Sequence, residues 1–186
     1  NKDASKAIEK MTEAGDAGAR AYLEFLLRSE QAGSLVAWRN NRGGMHIVPP
    51  GSDFVSVASG GSHAVALKKD GSLVAWGDDY FGQTKVPQGS DFIAIAAGMS
   101  HSLALKNDGS LVAWGSTRDG RLNVPQGRDF IAISVGGYHS LALKRDGSLA
   151  GWGSNTFGEC DVPRGADFIA IAAGASHSLA LKKDGS

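Results

Sequence analysis

Hydrophobic and polar positions alternate in short bursts along most of the chain, and each burst has the length of a strand. In Asp91-Phe-Ile-Ala-Ile-Ala-Ala-Gly98, Phe92 and Ala94 fall on one face and Ile93 and Ile95 on the other. His101-Ser-Leu-Ala-Leu-Lys106 alternates in the same way, and Ser72-Leu-Val-Ala-Trp76 is short, β-branched and aromatic. A period of two over five to eight residues predicts half-buried β-strands. Between each HSLALK-type run and the next SLVAW-type run stands Lys-Asp-Gly-Ser, Asn-Asp-Gly-Ser or Arg-Asp-Gly-Ser. Asp-Gly between two apolar runs predicts a two-residue type I′ hairpin, so the two runs pair antiparallel. Val-Pro-x-Gly segments such as 86–89 lack a backbone donor at proline, which makes them corners and not central strands. A short fourth strand is expected around Gln83–Val86.

The same elements recur at a fixed interval. GSLVAW occupies 33–38, 71–76 and 109–114, and GSLAGW occupies 147–152. Trp38, Trp76, Trp114 and Trp152 follow that spacing, as do His63, His101, His139 and His177, and Pro49, Pro87, Pro125 and Pro163. Four units of 38 residues result, 33–70, 71–108, 109–146 and 147–184, and Gly185-Ser186 open a fifth. Three or four antiparallel strands per unit describe the blade of a β-propeller. The fold class is therefore all-β, with propeller blades. A solenoid of this repeat length would be mostly helical, and no helical period runs through 33–184. Small residues at Ala94–Gly98, Ala132–Gly136 and Ala170–Gly174 suit strands crowded towards an axis.

Residues 1–32 break the pattern. Asp3 or Ser5 would cap a helix with Ala7, Ile8 and Met11 on one stripe, and Ala19, Leu23, Leu26 and Leu27 recur at helical spacing. This segment is expected to be a helical cap on one flank of the first blade. The alternative is a strand at Phe25–Arg28 pairing with Ser34–Trp38.

Charge and composition exclude more than they assign. Nineteen basic residues balance nineteen acidic ones, which argues against nucleic acid as a partner. No stretch reaches the roughly 20 apolar residues of a membrane span, and residues 1–32 lack the layout of a signal peptide. Cys160 is alone, so it forms no internal disulfide, a usage compatible with a reducing, cytoplasmic setting. The 26 glycines imply many tight turns.

The chemistry-bearing residues repeat with the architecture. Four histidines in register invite a metal reading, but an arc of blades does not converge them, and each is expected to bond a neighbouring backbone group. Asp53, Asp91, Asp129 and Asp167 are expected to accept backbone N–H groups in turns. A Ser100, His101 and Asp91 trio can be drawn on paper, yet it recurs as Ser176, His177 and Asp167, which suits construction better than catalysis. Gly151-Trp152-Gly153 fails the dinucleotide pattern because residue 156 is Thr. No catalytic residue, metal or cofactor is expected, and the four tryptophans read as inter-blade core.

The pattern G-x-x-H-S-L-A-L-K-x-D-G-S-L-V-A-W-G, followed by G-Q-x-x-V-P, resembles the regulator of chromosome condensation repeat. The compact spacing and the stretch Trp76–Thr84 look most like bacterial members. The resemblance covers 33–186. It implies a seven-bladed ring of roughly 266 residues, so a chain with four repeats is expected to form an open, shared or truncated ring. Members of the family include an exchange factor for a small GTPase, enzyme inhibitors, ubiquitin-ligase scaffolds and bacterial effectors, so the resemblance implies protein binding without fixing the partner.

Differences between units point to where a partner would bind, since loops carry recognition. The aromatic residues among the divergent positions are Tyr80, Phe81, Tyr138 and Phe157, and the cations are Arg42, Arg118 and Arg121. Aromatic and arginine side chains are enriched at interface hot spots. These seven are the candidate partner-binding residues of a non-catalytic interaction module. A small-GTPase exchange factor, an effector or inhibitor propeller, and the accessory domain of a larger enzyme are the alternatives. Open blade edges add self-association as a further expectation.

Overall fold

The computed structural model describes residues 24, 25, 28, 30–38 and 47–183. Within them the alternating runs form eleven strands in four antiparallel sheets. The first three sheets have three strands each: β1 (Phe54–Ser59), β2 (His63–Lys68) and β3 (Leu73–Gly77); β4 (Phe92–Ala97), β5 (His101–Lys106) and β6 (Leu111–Gly115); β7 (Phe130–Val135), β8 (His139–Lys144) and β9 (Leu149–Gly153). The fourth pairs β10 (Phe168–Ala173) with β11 (Ser178–Lys182). The 38-residue period is kept, and each complete sheet starts at a phenylalanine and closes on a Trp-Gly strand.

Register follows the alternation. Ser102 faces Trp114 and Leu105 faces Leu111 across β5 and β6. Each first strand carries one irregularity, between Phe92 and Ala94 in the second sheet, with counterparts in the other three. The bulge turns the phenylalanine ring inwards, and Phe54, Phe92, Phe130 and Phe168 are all buried.

Two local expectations are corrected. The Asp-Gly hairpins are not type I′, because Asp70, Asp108 and Asp146 keep negative φ and only Gly71, Gly109 and Gly147 enter the left-handed region, at 81°, 82° and 85°. Each is a type I turn followed by a left-handed glycine. The reason lies in the aspartate: Asp108 Oδ1 accepts both the Ser110 N–H and the Ser110 hydroxyl, which fixes the turn before the glycine. The fourth strand expected at Gln83–Val86 is also absent, since Gln83 and Thr84 sit in turns, with Lys85 N–H donating to Gly82 O.

The four sheets stack face to face about a common side, and β1, β4, β7 and β10 lie next to one another in succession. These are the inner strands, where small residues are needed. A side chain on Gly60 would collide with the Gly98 carbonyl and the His63 ring, and one on Gly98 or Gly136 would meet the next sheet in the same way. The core runs between the sheets, through Val65, Leu67, Phe92, Leu103, Leu105, Trp114, Phe130 and Trp152.

Trp114 and Trp152 are buried as core, but Trp38 is 80% exposed, because the 33–38 hexamer belongs to no sheet among the described residues. Glu24, Phe25 and Arg28 are helical, which removes the strand alternative there. Phe25 is buried against the inner strands β4 and β7, beside Ile93, Ile95, Ile131 and Ile133, and not on a flank of the first sheet. The helices expected over residues 1–23 lie outside the described residues. No described helix is long and apolar enough to cross a membrane.

Candidate loop-rim binding site

One rim of the array gathers the divergent segments. The loops after β3, β6 and β9 are tied to the turns before β2, β5 and β8: Asp78 N–H donates to Ser62 O, Ser116 N–H to Ser100 O and Ser154 N–H to Tyr138 O, at 2.7, 2.8 and 2.9 Å. Each loop is therefore anchored by backbone where it leaves the closing strand, and the residues beyond the anchor include exposed ones such as Tyr80, Arg118 and Phe157.

The structure brings five of the seven candidate residues into two contact clusters on this rim. Tyr80 and Phe81 meet edge to face with ring centroids 4.8 Å apart. The Arg118 guanidinium, from the next sheet's loop, lies 5.3 Å from the Phe81 ring. Arg121 lies 4.6 Å from the Tyr138 ring. Tyr80 is 82% exposed and Phe157 76% exposed, large values for aromatic rings. Phe157 occupies the position of Phe81 two repeats on, and no described guanidinium covers it. Arg42 lies outside the described residues.

Arg121 departs from the expectation of a free loop cation. It is 5% exposed, donating to Ser100 Oγ at 3.0 Å and pairing with Asp119 at 2.6 Å. Its place is equivalent to Gln83 and Glu159, which are also buried. Gln83 Oε1 accepts the Phe81 N–H and Glu159 Oε2 accepts the Phe157 N–H, so these two shape the loops from beneath. Arg121 instead holds Asp119, the one described non-glycine residue with positive φ, at 55°. The carbonyls at these positions take the indoles of the following sheet: Trp114 Nε1 donates to Gln83 O and Trp152 Nε1 to Arg121 O. Sequence divergence here marks a buried support, which the sequence reading missed because variation alone does not report burial.

The histidines do not bond backbone groups as expected. His63, His101 and His139 reach Ser102, Ser140 and Ser178 of the following sheet, at 2.7, 3.0 and 3.0 Å. Because the Ser178 hydroxyl donates to Glu159 O, His139 Nε2 is the donor in its pair. The three Nδ1 atoms are buried without partners. Burial, with the Arg121 charge second, holds the His101 imidazole down to about 4, and burial lowers His63 and His139 from the usual range. These rings are neutral latches between sheets.

The paper trio is not assembled. β4 and β5 are antiparallel, with Phe92 opposite Lys106 and Ala97 opposite Ser102, so Asp91 and His101 stand at opposite ends of the hairpin. Asp91 pairs with Lys106 at 3.1 Å, and its counterparts Asp53, Asp129 and Asp167 pair with Lys68, Lys144 and Lys182. The carboxylates thus serve lysines and not the turn N–H groups expected. Lys68, Lys106 and Lys144 also lie over the Phe54, Phe92 and Phe130 rings. Among the described residues no three His, Cys, Asp or Glu side chains are grouped to hold a metal. Burial and the neighbouring carboxylates push the Cys160 thiol up to about 11, which suppresses its thiolate.

The family described as "Regulator of chromosome condensation (RCC1) repeat" matches residues 54–83, 92–121 and 130–159, each match running from the buried phenylalanine to the Gln83, Arg121 or Glu159 position. No curated protein matches the sequence. Among solved structures, Prp20p from Saccharomyces cerevisiae, described with its binding properties to Gsp1p and histones, is 27% identical with a TM-score of 0.60, over 71% of this chain and 42% of that one. The yeast protein bound to Kap60 gives 27% identity and a TM-score of 0.59, over 71% of this chain and 40% of that one. The ectodomain of the Physcomitrella patens receptor kinase CR4 gives 25% and 0.59, over 70% and 38%. The chain thus spans less than half the length of each of these structures. With its phenylalanine-led sheets, histidine latches and Trp-Gly closing strands in register with these matches, the chain is a member of the regulator of chromosome condensation repeat family, folded as consecutive β-propeller blades.

Proposed function

We propose that the array is a non-catalytic protein-interaction module whose loop rim contacts a protein partner. The carrying observation is that Tyr80, Arg118, Tyr138 and Phe157 lie exposed on one rim, with half-buried Phe81 between Tyr80 and Arg118, where a monomer gains nothing from exposing them. Arg121 supports that rim from below, and Arg42 belongs to the same set by its position in the repeat. Repetition of the buried His–Ser pairs supports a constructional role for them, since three equivalent pairs with no carboxylate at Nδ1 lack the orienting group of a nucleophilic triad. The experiment is photo-crosslinking from position 157, an exposed rim position, in cell extract, compared with the same probe in the Tyr80→Ala, Phe81→Ala double variant. Loss of the crosslinked partner at unchanged melting temperature is expected; an unchanged interaction overturns the reading.

The likeness to Prp20p favours a second reading, in which the partner is of the Gsp1p or histone kind and the chain acts as an exchange factor or effector. Direct titration with purified Gsp1p and with histones tests it, and nucleotide release from Gsp1p separates exchange from binding. Absence of binding to both removes it. Self-association through open sheet edges is the remaining component of the proposal.

A further inference from the structure

Arg118 differs from the other charged residues of the rim in having no counter-charge. It is exposed in the interior of the array, with the loops that follow β3 and β9 on either side of its own. Its guanidinium lies over the Phe81 ring at 5.3 Å, and Tyr80 braces that ring edge to face. Among the described residues no carboxylate pairs with it.

Nearby carboxylates in these two loops are committed elsewhere. Asp119 follows Arg118 directly in sequence, yet its Oδ2 accepts from Arg121 Nη2 at 2.6 Å. The left-handed turn at Asp119, with φ 55°, belongs to that arrangement, and Arg121 is buried. In the preceding loop Asp78 Oδ2 accepts from Gln83 Nε2 at 2.9 Å, and Asp79 Oδ1 accepts the Thr84 N–H at 3.0 Å. Each of these carboxylates is thus bound within its own loop, while the Arg118 side chain donates to no described group. Contact with the Phe81 ring restricts a long, rotamer-rich side chain, so less order is lost when a partner engages it. Soft apolar surface lies on the same rim: Met99 and Tyr138 are 51% and 44% exposed, on adjoining turns joined by the bond from Met99 N–H to Gly137 O.

We propose that Arg118 anchors a carboxylate of the partner, the Asp or Glu side chain of a protein segment that sets an apolar neighbour against Tyr80 and Phe81. This rests on the rim reading and names the chemistry the rim selects. The guanidinium fork donates two parallel N–H bonds to a carboxylate, a geometry that fixes orientation as well as charge. One uncompensated positive charge matches one carboxylate. A phosphate carries close to two negative charges and is met by clusters of arginines. Here the second guanidinium, that of Arg121, is spent on Asp119, and Asp79 adds a negative charge to the adjoining loop. A basic segment would set like charge against Arg118.

Selection of short random peptides, displayed on phage, against the full chain tests the proposal. The wild-type chain should enrich peptides with Asp or Glu beside an aliphatic or aromatic residue. Such a peptide, resynthesised with an amidated C terminus, should bind Arg118→Gln ~10-fold more weakly than wild type and lose affinity as salt rises. Arg118→Glu should recover binding when the acidic residue of the peptide is replaced by Lys, a reciprocity that a merely structural role would not produce. Enrichment without an acidic preference, loss of binding on amidation, equal binding to wild type and Arg118→Gln, or a phosphoserine peptide that outbinds its Glu counterpart overturns the proposal. Any of these leaves the rim reading standing where Tyr80→Ala with Phe81→Ala abolishes binding of the selected peptide. A peptide indifferent to both sets of variants, or no enrichment at all, overturns both.

Discussion

His101 Nε2 lies 3.0 Å from Ser140 Oγ across the seam between the second and third sheets, and both side chains are fully buried. The pair is one of three equivalent bonds, and it joins residues 39 apart in sequence, one repeat plus one residue. Removal of the Ser140 hydroxyl leaves the buried His101 Nε2 without the partner it has in that seam. Ser140→Ala should cost about 1–3 kcal/mol. Urea unfolding monitored by tryptophan fluorescence reads this as a lower midpoint. An unchanged midpoint would mean the latch carries no weight.

The same burial makes the array sensitive to acid. Unfolded histidine takes its proton near 6.5, and His101 in the folded chain does so at about 4. Between those values the unfolded state binds a proton that the folded state refuses. Stability from this group is therefore complete above pH 6.5 and declines as pH falls towards 4, by about 3 kcal/mol in all. His63 and His139 shift in the same direction. The turn aspartates Asp70, Asp108 and Asp146 act in a lower window: bonds from Ser72, Ser110 and Ser148 depress them, so their contribution is lost only below the ordinary carboxylate range. The urea midpoint should drop between pH 7 and pH 4.5, and His101→Asn should flatten that drop.

At the hub, backbone approaches backbone. A methyl on Gly98 would touch the Gly136 carbonyl, the Val135 side chain and the His101 ring, all within 3 Å. None of these is the free end of a flexible side chain, so relief requires the second and third sheets to separate. Gly98→Ala should cost about 3 kcal/mol or more, far above the average substitution. Gly82→Ala is the contrast: its neighbour is the flexible Lys85 chain, and its cost comes from positive φ alone, ~1 kcal/mol. Thermal melting of the two variants separates crowding from backbone strain.

The period of 38, the strand types and the blade form could be read from the chain because each depends on local alternation or on spacing. The turn type was not legible, since an aspartate that bonds its own serine overrides the preference of Asp-Gly for two positive φ values. Nor was the partner of each histidine, because Ser140 stands beside His139 in sequence but serves His101 in space. The rim aromatics Tyr80, Phe81 and Phe157 were visible as divergence. Arg121 shared that divergence while lying buried, and its burial, its bonds to Ser100 and Asp119 and its contact with Tyr138 distinguish support from contact surface.

Arg118 and Arg121 offer the sharpest separation of those two roles, since they lie three residues apart and carry the same group. Arg118 is exposed and touches Phe81 through its guanidinium at 5.3 Å, a contact screened by solvent. Arg118→Ala should change stability by no more than ~0.5 kcal/mol while weakening any partner that uses the Phe81 face. Arg121→Ala removes a buried cation that holds Asp119 at positive φ, donates to Ser100 and covers Tyr138. Its loss should cost about 2–4 kcal/mol, through unsatisfied groups and lost packing together. Arg121→Gln tests the internal precedent of Gln83: the amide can accept the Asp119 N–H as Gln83 accepts that of Phe81, so stability should recover in part. Matched urea titrations of the three variants decide the matter, because equal losses for Arg118→Ala and Arg121→Ala would erase the distinction between rim and support.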